Sequence, residues 1–189
     1  MTTKTRCAWC EKDDLYRDYH DNEWGVPVYD DQKLFEFLIL ETFQAGLSWY
    51  TVLSKRENFR KAFDHFDYKT IALYNEEKIQ ELLLDAGIIR NQLKIRATVT
   101  NAIAFMKVQE EFGSFSSYIW GFTDGKPIKN NPKTLKDLTA TTPLSDAISK
   151  DLKKRGFKFV GSTVVYAHLQ ATGMVDDHVQ DCWKNTKVF

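Results

Sequence analysis

Leu82-Leu83-Leu84-Asp85-Ala86-Gly87-Ile88-Ile89-Arg90-Asn91-Gln92-Leu93-Lys94 reads as two helices joined by a tight turn. Before the turn, Ile79, Leu82 and Leu83 recur at helical spacing behind Asn75, which suits an N-cap with Glu76 and Glu77 in the first turn. Gly87 breaks the pattern, and a long helix follows from about Asn91 to Phe112. A helix, a glycine turn, two apolar residues and a helix with basic residues in its first turns form a helix–hairpin–helix candidate. Such a hairpin aims unpaired backbone N–H groups at a phosphate, with Arg90 and Lys94 beside it. A C-cap glycine joining two packed helices has the same pattern, so this segment alone leaves both readings open.

Outward from the hairpin, nearly everything with a period is helical. Asp31 is the expected N-cap of a helix over 33–40 whose apolar positions crowd one broad face. Trp49 to Phe63 forms another helical segment with Val52, Leu53, Phe59 and Phe63 inward. Thr142-Pro143 opens a helix that Gly156 closes, and Ser162 to Thr172 is a buried helix ending at Gly173. Residues 120–140, with Gly121, Gly125, Pro127 and Pro132, form the main loop. Val and Ile do not alternate over useful lengths. The class is all-α.

The chain has 189 residues, 43% hydrophobic and 28% charged, which suits an ordinary globular chain and excludes a disordered one. No apolar run approaches the ~20 residues that span a bilayer, and no apolar stretch follows Met1 to Cys7, so no membrane, no secretory signal and a cytoplasmic location are expected. Its zero net charge is uneven, with 5 basic and 10 acidic side chains in residues 1–50 and 21 and 16 in the remainder. The clusters Arg90, Lys94, Arg96 and Lys153, Lys154, Arg155, Lys158 suit either solvated helix faces or a polyanion met by one face.

Two constellations could carry chemistry. Cys7, Cys10 and His20 near one end, with His178 and Cys182 near the other, are five candidates for the four positions of a tetrahedral zinc. Spacing alone favours a Cys7-x-x-Cys10 knuckle, and a helix would put His178 and Cys182 on one face. The second is the aromatic stretch from Tyr16 through Tyr19 to Trp24, together with Glu41 and Trp49. Aromatic rings flanking a carboxylate suit a flat, partly cationic base. Glu41 ends an apolar face, where a carboxylate is costly unless paired. Pairing with Arg17 or Lys55 would make it a fold-ordering group instead.

Several segments, taken together, resemble the DNA-3-methyladenine glycosylase I family, a zinc-containing branch of the helix–hairpin–helix DNA glycosylases. They are Arg6-Cys-Ala-Trp9, Tyr19-His-Asp-Asn-Glu-Trp-Gly25, Gln44-Ala-Gly-Leu-Ser-Trp49, Lys55-Arg-Glu57, Asp85-Ala-Gly-Ile-Ile-Arg90 and Lys153-Lys-Arg-Gly-Phe-Lys-Phe-Val-Gly161, with His178 and Cys182. They occur in order over nearly the whole chain.

The resemblance implies one structural zinc on Cys7, His20, His178 and Cys182, with Cys10 a spare thiol. It implies a single domain, with a helical core over 30–160, the hairpin near 76–110, and a zinc-clamped lobe from 1–29 and 161–189. The base pocket falls on Tyr19, Glu41 and Trp49, walled by Tyr16 and Trp9. DNA contacts fall on Gly46, Leu47, Gly87, Ile89, Arg90 and Lys94. The implied activity is a monofunctional glycosylase that flips 3-methyladenine out of double-stranded DNA and hydrolyses its N-glycosyl bond, acting as a monomer without a protein partner. Related enzymes place an Asp shortly after the hairpin to aid catalysis, but Asn91 to Gln109 holds no carboxylate. A catalytic role for Glu41 is therefore open. A non-catalytic DNA-binding module, needing no pocket, and a zinc hydrolase, needing an open metal position, are the competing readings.

Overall fold

Ten α-helices and one short pair of parallel strands organise the residues described by this computed structural model, 4–185. Residues 1–3 and 186–189, part of the terminal segments discussed above, lie outside the described residues. The helices are α1 (Asp14–Asn22), α2 (Asp31–Gln44), α3 (Trp49–Leu53), α4 (Arg56–Ala62), α5 (Tyr68–Ile71), α6 (Glu76–Leu84), α7 (Gln92–Phe112), α8 (Phe115–Trp120), α9 (Pro143–Lys154) and α10 (Ser162–Ala171). The strands are β1 (Ile128–Lys129) and β2 (Val175–Asp176).

Short polar side chains begin most of these helices. Asp13, Asn75, Asn91, Ser114 and Thr142 each accept a first-turn backbone N–H, satisfying donors that a helix cannot satisfy itself. The cap of α2 is Asp30 rather than the expected Asp31. Asp31 instead accepts the N–H groups of Phe115 and Ser116 at 2.8 and 2.7 Å, opening α8 across the fold. The expected helix over 49–63 is divided into α3 and α4. At the break the Ser54 hydroxyl donates to the Thr51 carbonyl at 3.1 Å, competing with the helix ladder.

Every residue from Leu34 to Phe43 is buried, so α2 is enclosed on all sides rather than along one face. Helices α3, α7, α8 and α10 pack around it. Val165, Tyr166 and Leu169 of α10 belong to this main core, so the expected boundary at residue 160 is displaced past that helix. A smaller cluster joins Cys7, Tyr19, Trp24 and Cys182 to Phe37 of α2 and Leu53 of α3. The terminal segments are thereby laid onto the central helix. Among the described residues no helix is long and apolar enough to cross a membrane.

A short turn joins α6 to α7 where the hairpin was expected. Gly87 stands there for close approach rather than for a left-handed turn: an added Cβ would lie 2.9 Å from Asp85 Oδ1 and 3.3 Å from Asn58 Cβ. The long loop is tied down where β1 pairs in parallel with β2, Ile128 opposite Val175 and Lys129 opposite Asp176.

A second close approach fixes the chain entering α2. Gly25 and Val28 donate their N–H groups to the carbonyls of Gln170 and Thr172, both at 3.0 Å. Gly173 has φ +68°, and a Cβ there would sit 2.3 Å from the Val26 carbonyl carbon. Gly173→Ala should therefore cost more than the roughly 1–2 kcal/mol of the left-handed conformation alone. Urea titration checks this, and a loss below about 1 kcal/mol would show that the two segments separate easily.

Candidate active site

The C-terminal turn of α2, the start of α3, α1 and α10 surround a cavity of about 190 Å³, partly open to solvent. Trp9, Tyr16, Tyr19, Glu41 and Trp49 all line it, so the structure brings together the five residues expected at a base pocket. The Tyr19 and Trp49 rings are 5.3 Å apart between centroids, and Trp9 stands edge-on to Tyr16 at 4.9 Å.

Glu41 is 3% exposed, and its Oε2 has no hydrogen-bond partner. The cations considered for it are engaged elsewhere. Arg17 binds Glu11 and Asp14, while Lys55 donates to the carbonyls of Ala86 and Gly87. Burial pushes the Glu41 carboxyl well above the usual carboxylate range. Trp49 Nε1 is likewise buried without a partner. An unpaired acceptor and an unpaired donor on one cavity wall mark a place for a polar ligand, because buried polar groups are otherwise satisfied. Glu41 is also the only carboxylate among the described lining residues.

Sequence reasoning missed part of this wall. Gln44, Ala167 and Gln170 line the cavity, as does Leu138 from the long loop. Ala167 and Gln170, three apart on α10, were recoverable as the less apolar side of that helix. Leu138 carried no signal, because only the fold brings it near.

Beyond α2, Gly46 (φ +81°) and the exposed Leu47 form a projecting loop. At the hairpin Arg90 is exposed, and Ile89 is half-buried against the core. Lys94 overturns its expected role as a phosphate contact. It is 5% exposed, and its ammonium donates inward to the carbonyls of Phe43 and Ala45 at 2.8 and 2.6 Å. Of the other basic residues, Arg96 is paired with Glu76 and Arg155 with Glu111 and Asp151, while Lys153, Lys154 and Lys158 are exposed.

The terminal cluster lies behind Trp9 and Trp24. Cys7, His20 and Cys182 are buried, each offering a ligand atom within 4.8 Å of the others. The His178 ring lies 5.1 Å from that of His20 between centroids, and its Nε2 is buried without a partner. Asp21 engages His20 Nδ1 at 2.9 Å and Asp176 engages His178 Nδ1 at 2.7 Å, which leaves each Nε2 available as a ligand. Two thiols and one imidazole converge here, and the chemistry of that set, with the His178 imidazole beside it, suits a tetrahedral metal. The knuckle favoured by spacing does not form, since the Cys10 thiol donates to the Cys7 carbonyl at 3.1 Å. His178 lies in irregular chain and Cys182 at a bend, so neither is on a helix.

A family model described as methyladenine glycosylase matches residues 9–185. The chain belongs to that family. DNA-3-methyladenine glycosylase 1 of Escherichia coli strain K12 is 49% identical over 177 residues, covering 94% of this chain and 95% of that protein. The Haemophilus influenzae DNA-3-methyladenine glycosylase is 48% identical over 178 residues, covering 94% and 96%. A solved structure of 3-methyladenine DNA glycosylase I from Staphylococcus aureus, described for its recognition of 3-methyladenine, superposes with TM-score 0.94 at 36% identity, covering 97% of this chain and 98% of that one.

In this member of the family the Glu41 burial has a measurable consequence. A carboxyl group whose pKa is higher folded than unfolded keeps its proton longer in the native state. Stability is then unaffected below the ordinary value of 4.5 and falls as pH rises above it toward the raised folded value. Glu41→Gln removes that penalty. The variant should be more stable than the parent at neutral pH by about 1–3 kcal/mol, with the advantage vanishing near the ordinary carboxylate range. Denaturant melts over a pH series test this, and parallel pH profiles for the two proteins would refute it.

Proposed function

We propose that the chain excises 3-methyladenine from alkylated double-stranded DNA, acting as a monomer and leaving an abasic site. The observation that carries this reading is the unpartnered, buried Glu41 acceptor in an aromatic cavity. The names of the relatives support the same substrate. Methylation at N3 makes the base cationic while it is attached to the sugar. When the glycosyl bond breaks, its electron pair passes to the base, which departs neutral. Water then bonds to the sugar carbon and gives its proton to solvent. No lysine lines the cavity among the described residues, which favours hydrolysis over an imine with the sugar.

The aromatic walls suit the faces of an extruded base, and the Glu41 carboxyl suits its exocyclic amine. Guanine has a carbonyl at that position, so 3-methylguanine would set two acceptors face to face. For the duplex, the helix–hairpin–helix with Gly87, Ile89 and Arg90 supplies a phosphate grip. Leu47, beside Gly46, supplies an apolar wedge for the gap that the base leaves. Methylated duplex treated with the protein should release free 3-methyladenine. Glu41→Gln should bind the free base about tenfold more weakly, close to one charged hydrogen bond, while single-turnover excision falls by less. No base release by the parent would sink the reading. Unchanged base affinity with a collapsed rate would make Glu41 a catalytic base instead.

We further infer that one zinc ion is held by Cys7, His20, His178 and Cys182. Four protein ligands would leave no open position for water, so the ion would serve as a clasp between the two ends of the chain. Cys7→Ser should abolish stoichiometric zinc in metal analysis, whereas Cys10→Ser should retain it. Metal loss should cost about 3 kcal/mol or more, roughly 6–12 °C in Tm for a chain of this size. Zinc retained by Cys7→Ser and lost by Cys10→Ser would reverse the assignment.

A further inference from the structure

Lys94 lies in the first turn of α7, where its own N–H is capped by the Asn91 side chain at 3.1 Å. Its ammonium reaches across to α2 and donates to the carbonyls of Phe43 and Ala45. Carbonyls at a helix C-terminus lack intrahelical partners and carry the negative end of the helix dipole, so a cation suits them. Glu41 is in the same turn of α2, and Gly46 and Leu47 follow immediately.

On the far side of that loop a second lysine makes a matching tie. Lys55, just after α3, donates to Ala86 and Gly87 in the hairpin turn at 3.4 and 3.1 Å. Helix α3 begins at Trp49, on the cavity wall. The Gly46–Leu47 loop is therefore joined to the hairpin on both flanks. Between these anchors a Cβ added at Gly46 would meet nothing within 4 Å, and Leu47 is exposed. An apolar side chain could fill the space of the Lys94 stem without the cost of burying an ammonium. What only the ammonium provides is a bond from the hairpin helix to both carbonyls.

We propose that Lys94 is a positioning residue that locks the Ala45–Leu47 segment to the hairpin, so that phosphate binding by the hairpin sets how deeply Leu47 enters the duplex and how Glu41 meets the extruded base. This rests on the reading of the chain as a glycosylase acting on duplex DNA. Lys94 is buried and does not line the cavity, so its loss acts on the coupling between the two surfaces.

The test compares Lys94→Met and Lys94→Arg with the parent. Lys94→Met should bind free 3-methyladenine within about twofold of the parent, and undamaged duplex with an unchanged salt slope, because no phosphate contact is lost. Single-turnover excision from methylated duplex should fall about tenfold or more, and the fluorescence rise of 2-aminopurine placed beside the lesion should weaken in parallel. Lys94→Arg, which again offers donors to both carbonyls, should recover most of the rate. If Lys94→Met does not fold, Lys94→Gln, which keeps an uncharged N–H donor group on a shorter stem, is measured in the same way and should show an intermediate loss. Undiminished excision by the folded variant would overturn the inference alone. A fall in excision matched by the fall in free-base affinity, or a reduced salt slope, would also overturn it. A parent that releases no base would overturn the glycosylase reading and this inference together.

Discussion

The Glu41 carboxyl group, buried at the C-terminal turn of α2 without an ion-pair partner among the described residues, is the constraint on which the site is built. An isolated buried carboxyl is costly, and the fold must offset that cost elsewhere. Helix α2 does so on its own length. Leu34, Phe35, Phe37, Leu38, Ile39, Leu40 and Phe43 are all buried, at about 1.5–3 kcal/mol each by area, and together they outweigh one unsatisfied acceptor. The other carboxylate inside that run, Glu36, shows the contrast. It is answered by Arg60 and Lys33, so it orders the fold and is not available to a ligand.

The cavity wall opposite α2 depends on residues far away in the chain. Trp9, Tyr16 and Tyr19 come from the N-terminal segment, which Arg6 and Asp21 hold together and which meets the C-terminal turns at the cysteine–histidine cluster. Leu138 arrives with the long loop, which is held through β1 and through Asn130 on Asp177. That same buried carboxylate accepts from Tyr166 and Gln170 of α10, and Gln170 also lines the cavity. One network therefore sets the position of the loop and of one wall together. Its polar members are mutually satisfied, which separates this scaffold from the unsatisfied pair Glu41 and Trp49.

The helices were legible where local chemistry decides them. Asn75, Asn91 and Thr142 cap as their side chains require, and a turn containing Gly87 joins α6 to α7. The five pocket residues were legible through type and family resemblance, because aromatic rings about a carboxylate have few other uses. Three readings failed for one shared reason, that tertiary packing is invisible to spacing. Lys94 looked like a surface cation at a helix start, yet the C-terminus of α2 lies against it. Asp31 looked like a cap for its own helix and instead accepts two first-turn N–H groups of α8, beside its cap Ser114. Cys7 and Cys10 had knuckle spacing, but the turn carries the Cys10 thiol back onto a neighbouring carbonyl.

The electrostatics of the cavity also bear on how the proposed reaction divides between selection and rate. Burial holds the Glu41 carboxyl toward its neutral form, and a cationic base entering the cavity would favour its ionisation, so affinity rises with the positive charge of the ligand. During bond cleavage that charge leaves the base and develops on the sugar. An anion placed against the base is then stabilised most in the bound ground state, and binding of that kind does not by itself lower the barrier. Its benefit lies in the step before cleavage. Unstacking the nucleotide costs a few kcal/mol, and aromatic stacking at about 1–3 kcal/mol per base offsets that for any base that fits. The additional charged hydrogen bond, about 1.5–3 kcal/mol, needs a donor at the edge of the base and is strongest when the base is cationic. The alkylated base already has a good leaving group, so a site that spends its binding on extrusion and selection needs little from a general base. That fits a cavity whose one carboxylate is set deep among aromatic rings instead of on the helix α7.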